Sequence, residues 1–415
     1  MESSADQSFA AFVGIDWSDR KHDVCLKAAG DNAHEHSVIA HRPEAIESWA
    51  LGLKKRFGGQ PVAVCLEIAR GPLVSALQRY EFLVLFPVNP TTLANYRSTF
   101  CVSGAKDDPT DAELALELLL RHPEKLCVLR PQSAGMRTLE KLVEQRRTLV
   151  DEVRRVTNRM TAALKEYFPQ AVDWFKDKDT FVFCDFVSRW PTLKQAQRAR
   201  KARLCAFFHE HNVRYGHIVE RRVQSIMAAL PLTDDPSVIG PNSLLVVSFA
   251  QQLRVLLQAV ERFDKEIGAV APTLADYELF AGLPGAGPVF APRLLAAFGE
   301  RRERFDSANQ MQSYVGVAPV TERSGNKCWV HWRLRCPKFV RQTFVEWAAH
   351  SIPYCYWAEA YYQQQRAKGS SHQAALRALA FKWIRVVYRC WQTRTPYDEA
   401  TYLSALKRRG SPLIA

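Results

Sequence analysis

The stretch AFVGIDWSDRKHDVCLKAAG, residues 11–30, decides the fold. Phe12, Val13 and Ile15 make an apolar β-run that Asp16 interrupts. HDVCLKAAG returns as a second strand after a turn around Asp19, Arg20 and Lys21, and a third short strand, HEHSVIAH, follows. Then the period changes. Pro43 sits where a first helical turn can begin, and EAIESWALGLKKRF is amphipathic at helical spacing. Strand PVAVCLEIA, helix GPLVSALQRY, strand EFLVLFPVN and helix PTTLANYRSTF continue the series, and DAELALELLL closes it. A meander followed by alternating strands and helices predicts an α/β sheet domain over residues 11–130.

Two of these strands end on carboxylates. Asp16 breaks the first run, and Glu67 stands at the end of Val62, Val64, Cys65 and Leu66. Asp108 and Asp111 are three apart at the start of a helical pattern, so they share one face. A carboxylate at the end of an apolar strand is costly to bury unless it is paired, hydrogen-bonded or bound to metal. Hard oxygen ligands suit Mg²⁺, a common partner of phosphate-handling sites. Plainer readings stand beside this one: Asp16 caps a turn toward Asp19, and Glu67 pairs with Arg70. If the acids cluster, removing one relieves repulsion among the rest, and stability holds or rises.

Beyond residue 130 the pattern becomes helical. Leu142, Leu149, Val156 and Ala163 recur at seven-residue spacing, offset from Leu139, Val153 and Met160, a series that Arg146 breaks; Val246, Phe249, Leu253, Leu256, Val260, Phe263 and Ile267 alternate at three and four. Such helices pair as a coiled-coil hairpin, join two subunits, or are ordinary core helices. Residues 131–271 are therefore read as a helical, coiled-coil and basic region, and 272–415 as a mostly helical C-terminal domain. In LPGAGPVFAPRLLAAFG, Gly285 and Gly287 precede a helix whose first-turn N–H groups can face a phosphate. The segment looks like the hairpin of helix-hairpin-helix modules; a simple tight turn is the alternative.

Charge is divided unevenly. The net is +13, yet residues 1–130 hold 14 Lys/Arg against 17 Asp/Glu, so the remainder carries +16. An acidic module joined to a basic one suggests that the second grips a polyanion and the first processes it. The cations cluster. Arg146, Arg147, Arg154, Arg155 and Arg159 lie on the first long helix. Lys194, Arg198, Arg200, Lys201 and Arg203 fall in KQAQRARKAR, which has no acid and otherwise reads as a solvated helix face. Arg323, Lys327, Arg333, Arg335, Lys338 and Arg341 interleave with Trp329 and Trp332, a composition that suits nucleic acid.

A chain with 47% hydrophobic and 24% charged residues is globular, not disordered. No apolar run is read as approaching the ~20 residues of a membrane span, and MESSADQSFA lacks a secretory pattern. No membrane association and a cytoplasmic, nucleoid-associated location are expected. The ten cysteines form no CxxC pair and are read as reduced thiols.

Taken in order, GIDWS, CLEIARG, FPVNP and AKDDPTDAELA, then LPGAGP, SYVGVAPVTERSG and the WAAHS helix, resemble one family. It is the insertion-sequence-110 family of RuvC-like DEDD transposases, which are bridge-RNA-guided serine recombinases. The resemblance covers residues 11–165 and 243–400 and thins over 170–235. It implies a RuvC/RNase H-like N-terminal domain whose acidic tetrad falls on Asp16, Glu67, Asp108 and Asp111 and holds Mg²⁺. It places a nucleophilic serine on Ser324, in ERSGNK. It implies strand exchange through a phosphoserine, a dimer or tetramer in which the acids of one subunit meet the serine of another, and a structured noncoding bridge RNA pairing with donor and target DNA. Two positions depart from the family. Asp107 stands where a small polar residue is usual, four residues from Asp111, and RCPKF at 335–339 replaces a lysine-glycine element. Two other functions use the same residues: a metal-dependent junction resolvase that leaves no covalent intermediate, and a non-enzymatic nucleic-acid-binding protein, in which Ser324-Gly325 is only a turn.

Overall fold

The computed structural model describes residues 8–67, 70–100, 108–213, 215–411 and 413; at Phe100 and Asp108 the backbone alone is described. The chain divides into two units, 1–131 and 132–415.

The first unit runs β1 (Ala11–Trp17), β2 (Lys21–Ala28), β3 (Glu35–Ala40), α1 (Pro43–Arg56), β4 (Val62–Leu66), α2 (Pro72–Leu77), β5 (Leu83–Pro87), α3 (Pro90–Phe100) and α4 (Asp108–Arg121). Its sheet has the order β3-β2-β1-β4-β5. The first three strands are antiparallel, and β4 and β5 join β1 in parallel. The meander and the βα alternation read from the sequence are both present.

Residue parity assigns the faces. Ala11, Val13 and Ile15 of β1 and Val62, Val64 and Leu66 of β4 pack with Ile46, Ala50 and Leu53 of α1 and Leu73, Val74 and Leu77 of α2. The opposite parity, with Ala63, Cys65 and Phe86, packs with Leu93 of α3 and Leu114, Ala115 and Leu118 of α4. Gly14 belongs to this second face. A Cβ there would lie 2.0 Å from the carbonyl oxygen of Ala112 and 2.5 Å from the nitrogen of Leu116, so the backbone of α4 rests directly on β1.

The second unit begins with α5 (Ala134–Tyr167), continues through α6 (Pro169–Trp174), α7 (Phe181–Arg189), α8 (Leu193–Arg198), α9 (Lys201–Glu210) and α10 (Gly216–Ala228), and returns along α11 (Pro236–Val270). The two long helices pack against each other within one chain. What α5 buries follows the offset series, Leu139, Val153 and Met160, together with Val156 and Ala163 of the other. Met136, Leu139 and Val143 enter one core; Val153, Val156, Met160, Ala163 and Leu164 enter another. Leu142 and Leu149 stay half-buried. The second core is aromatic, with Phe168, Phe183, Phe186, Phe207 and Phe208 fully buried. Residues 168–228, unassigned from sequence, thus form short helices around the far end of the hairpin. Thr180 and Thr192 cap two of them by accepting from the nitrogens of Phe183 and Gln195.

One expectation is corrected here. Residues 236–253 carry no charged side chain, and the helix they open is long and apolar enough, by length and composition, to cross a membrane. Ser, Asn and Gln side chains interrupt that run, which hides it from a reading by eye.

The remainder is α12 (Tyr277–Ala281), α13 (Gly287–Phe298), α14 (Ala308–Val315), a hairpin of β6 (Val320–Ser324) and β7 (Lys327–His331), then α15 (Lys338–Ser351), α16 (Tyr356–Ala367), α17 (His372–Thr393) and α18 (Glu399–Arg408). Its core holds four buried tryptophans, and each indole N–H finds an acceptor. Trp347 donates to the Pro284 carbonyl at 3.0 Å, Trp357 to the Tyr397 hydroxyl at 2.8 Å, Trp383 to Ser351 Oγ at 2.8 Å and Trp391 to the Gly299 carbonyl at 2.9 Å.

Candidate active site

In the parallel pair β1–β4, Ile15 stands beside Leu66. The next residue along each strand direction is an acid, Asp16 and Glu67, and both are half-buried. Asp16 has the parity of Gly14, so it lies on the face that α4 covers. Asp111 precedes Ala112, whose carbonyl abuts Gly14, and is only 2% exposed. Strand parity and one glycine therefore bring Asp16 and Asp111 to the same face, and Glu67 to the same strand ends. Asp107 and the carboxylate of Asp108 lie outside the described residues. Among the described residues, no three His, Cys, Asp or Glu side chains are grouped closely enough to hold one metal ion.

Asp111 has an unforeseen partner. Arg97 of α3 reaches it, and the two side chains are 20% and 3% exposed. The contact is ionic: guanidinium and carboxylate touch, while Asp111 Oδ1 and Arg97 Nε lack an aligned hydrogen bond. This overturns the expectation that losing any acid relieves repulsion. At Asp111 the charge next door is positive, and removing the carboxylate strands a largely buried cation.

The antiparallel register supplies two further residues. Asp23 is paired directly with Asp16 across β1–β2, is 6% exposed, and has Lys21 at 3.1 Å. The parity of two paired strands was the signal that could have revealed it. Its neighbour His22 is fully buried and contacts His41 across 3.0 Å between Nε2 and Nδ1. Burial first, and His41 second, push the His22 pKa down to about 4 against an upward pull from Asp23.

Ser324 ends β6 and starts a two-residue turn, Gly325-Asn326. Gly325 has φ +57°, the left-handed conformation this turn needs. The serine is exposed, and so are its neighbours in both strands. Register sorts those neighbours. Ser324 pairs with Lys327 and Glu322 with Trp329, so Ser324, Lys327 and Trp329 share one face, while Arg323, paired with Cys328, faces the other way. The sequence placed both cations near the serine; the pairing keeps only Lys327 on its face.

Other predicted nucleic-acid contacts fall into two groups. In the first, the charge is already engaged. Arg146 is paired with Asp264; Arg147 is paired with Asp151 at 2.9 Å and Glu346 at 3.4 Å, and Glu346 also holds the buried Arg293 at 3.0 Å. Arg154 and Arg155 pair within their own helix with Asp151 and Glu152. Arg333 and Arg341 donate to the carbonyls of Ala318 and Arg333 at 3.3 and 2.9 Å, and Arg341 and Arg377 stack on Trp332 at 5.1 and 3.9 Å. The RCPKF departure is a built element: the Cys336 sulfur seats on Gly316, where a Cβ would lie 2.3 Å from it, and Pro337 leads into α15.

In the second group the charge is available. Arg159, Lys194, Arg198, Arg200, Lys201, Arg203, Arg335 and Lys338 are exposed with no carboxylate partner among the described residues. At Gly285 the tight-turn reading explains the residue. Its φ is +68°, and a Cβ would lie 2.4 Å from the His350 carbonyl, so the turn packs on α15. Gly287, φ +50°, opens α13 and is exposed.

Residues 13–169 match the family model of the DEDD transposase of IS110, and residues 277–363 match that of the transposase IS116/IS110/IS902 family. A protein of Streptomyces coelicolor named as a transposase of the IS117 mini-circle is 28% identical over 407 residues, 95% of this chain and 97% of that one. The 42 kDa protein of insertion element IS900 from Mycobacterium paratuberculosis is 24% identical over 86% of both chains. The 43.6 kDa protein of IS110 from Streptomyces coelicolor is 24% identical over 71% of this chain and 72% of its own. An α/β domain carrying acids at its strand ends, followed by a helical unit, is here a transposase. The chain belongs to the IS110 family.

A DEDD transposase domain implies a divalent metal. The donor chemistry fits one. Asp16, Glu67 and Asp111 offer carboxylate oxygens, the donor type a divalent ion would take, and buried Asp111 already draws a cation to itself.

Proposed function

We propose that this transposase cuts and rejoins DNA through a covalent bond to Ser324, with Mg²⁺ held by Asp16, Glu67, Asp108 and Asp111 and with a structured noncoding bridge RNA choosing donor and target DNA. The observation that carries it is the hairpin tip: Ser324 exposed beside Lys327, on one face, within a chain of this family. Ser324 Oγ attacks a backbone phosphorus, the P–O bond to the leaving sugar oxygen breaks, and the serine proton passes to that oxygen. The phosphoserine ester keeps the bond energy, and attack by a hydroxyl of the incoming strand restores the serine and closes the new phosphodiester. A bound divalent ion would neutralise the phosphate and stabilise the leaving oxygen. Lys327 places a cation where the attacked phosphate must lie.

The sheet order, three antiparallel strands followed by two parallel ones with acids ending β1 and β4, supports a RuvC/RNase H-like domain. The cations of residues 194–203, exposed and without a carboxylate partner among the described residues, support a nucleic-acid surface for the RNA. A homo-oligomer, dimer or tetramer, is the working assembly.

Recombination between two plasmids carrying the element's ends and target, with the flanking noncoding RNA supplied, tests the reading. Asp16→Ala, Glu67→Ala and Ser324→Ala are expected to abolish product while DNA binding is retained. Full activity of Ser324→Ala would leave metal-dependent hydrolysis, as in a junction resolvase, as the better account.

A further inference from the structure

The Arg97–Asp111 contact has no part in the chemistry above. Arg97 comes from α3, which carries none of the proposed acids, and sets one guanidinium nitrogen against a carboxylate that is almost wholly buried. A buried carboxylate is costly without a counter-charge, hydrogen bonds or a proton, and the counter-charge here is Arg97. A divalent ion on Asp111 would share the carboxylate with the guanidinium. The two positive charges would then lie a few ångströms apart and repel each other in a site shielded from water, which favours one at the expense of the other. The Arg97 side chain remains 20% exposed, which gives it a way out.

We infer that Arg97 is the resident counter-ion of Asp111: a divalent cation must displace it, and Arg97 thereby sets the metal affinity of the site. The inference rests on Asp111 being a metal ligand. It gives α3 a function, that of holding the acid domain folded and its buried acid neutralised until metal arrives. It also predicts that the metal-free protein is stabilised by the same residue that weakens metal binding.

The test uses the full chain, stripped with chelator and titrated with Mn²⁺. Bound ion is read by electron paramagnetic resonance and stabilisation by thermal melting. Arg97→Gln is expected to melt lower than the parent without metal, yet to bind Mn²⁺ with a midpoint lower by about fivefold or more. Arg97→Lys, which keeps the charge but loses the planar fork, is expected to fall between the two. Asp111→Asn should lose the ion bound there. Equal midpoints for the parent and both Arg97 variants, with binding still abolished by Asp111→Asn, would overturn the role of Arg97 and leave the acid site standing. Mn²⁺ binding that Asp111→Asn leaves unchanged would overturn both. If Arg97→Gln does not fold by circular dichroism, the midpoint of Arg97→Lys decides.

Discussion

Arg323 and Ser324 are neighbours in sequence and opposites on the hairpin, and this single-residue alternation separates two cations that composition treats alike. Lys327→Gln is expected to reduce recombination roughly tenfold to a hundredfold, as loss of a donor to transition-state charge does elsewhere. Arg323→Gln should have a much smaller effect on the same assay, and the reverse order would show that the register does not govern the site. His22 offers a second test at this scale. Its folded pKa of about 4 lies below the ordinary 6.5, so between those values the unfolded chain binds more protons there. Stability therefore rises with pH across the window and is lost as pH falls through it. His22→Phe should flatten that slope in melting curves at pH 4 to 6.5; an unchanged slope would assign it to other groups. What sequence could reveal here was local. Asp16, Glu67 and the Ser324-Gly325 turn announce themselves by their immediate neighbours. Arg97 did not, because its partner is reached only once α3 and α4 pack together.

Among the elements, α4 and β1 matter most, since their contact carries Asp111 to the Asp16 face. Gly14 is what permits it. Gly14→Ala puts a methyl group into the backbone of α4, and is expected to cost about 1–3 kcal/mol or more by the usual measure of overpacking. Lower melting of the acid domain together with lost recombination would bear this out; parent-like behaviour in both would mean that α4 is not fixed by this contact. The order of strands and helices was legible, because periods of two and 3.6 residues are written into each segment. The buried stripe of α5 was legible only in part: Leu139, Val153, Val156, Met160 and Ala163 are buried, whereas Leu142 and Leu149 are half-buried. A seven-residue repeat describes two helices packing uniformly, whereas the ends of α5 enter two different cores and its middle bridges them through Arg146 and Arg147.

At the scale of the whole molecule, charge is the readable quantity. The excess of +16 beyond residue 130 is partly spent on internal pairs, and the five cations of residues 194–203 remain unpaired among the described residues. Neutralising Arg198, Arg200, Lys201 and Arg203 together should weaken binding of the flanking RNA and flatten its salt dependence, since each phosphate contact contributes to that slope. An unchanged slope would assign this segment to ordinary solvated surface. The aromatic core that displays these cations could not be read from residues 170–235, where the segments are too short for a period to declare itself.

The account turns on one bond. Recombination reactions stopped with denaturant, digested with protease and nuclease, and analysed by mass spectrometry should yield a peptide spanning Ser324 that carries a nucleotide on the serine oxygen. That peptide should be absent from Ser324→Ala and from reactions run in chelator. Metal-dependent strand cleavage with no such peptide, or with the nucleotide on another residue, would contradict it.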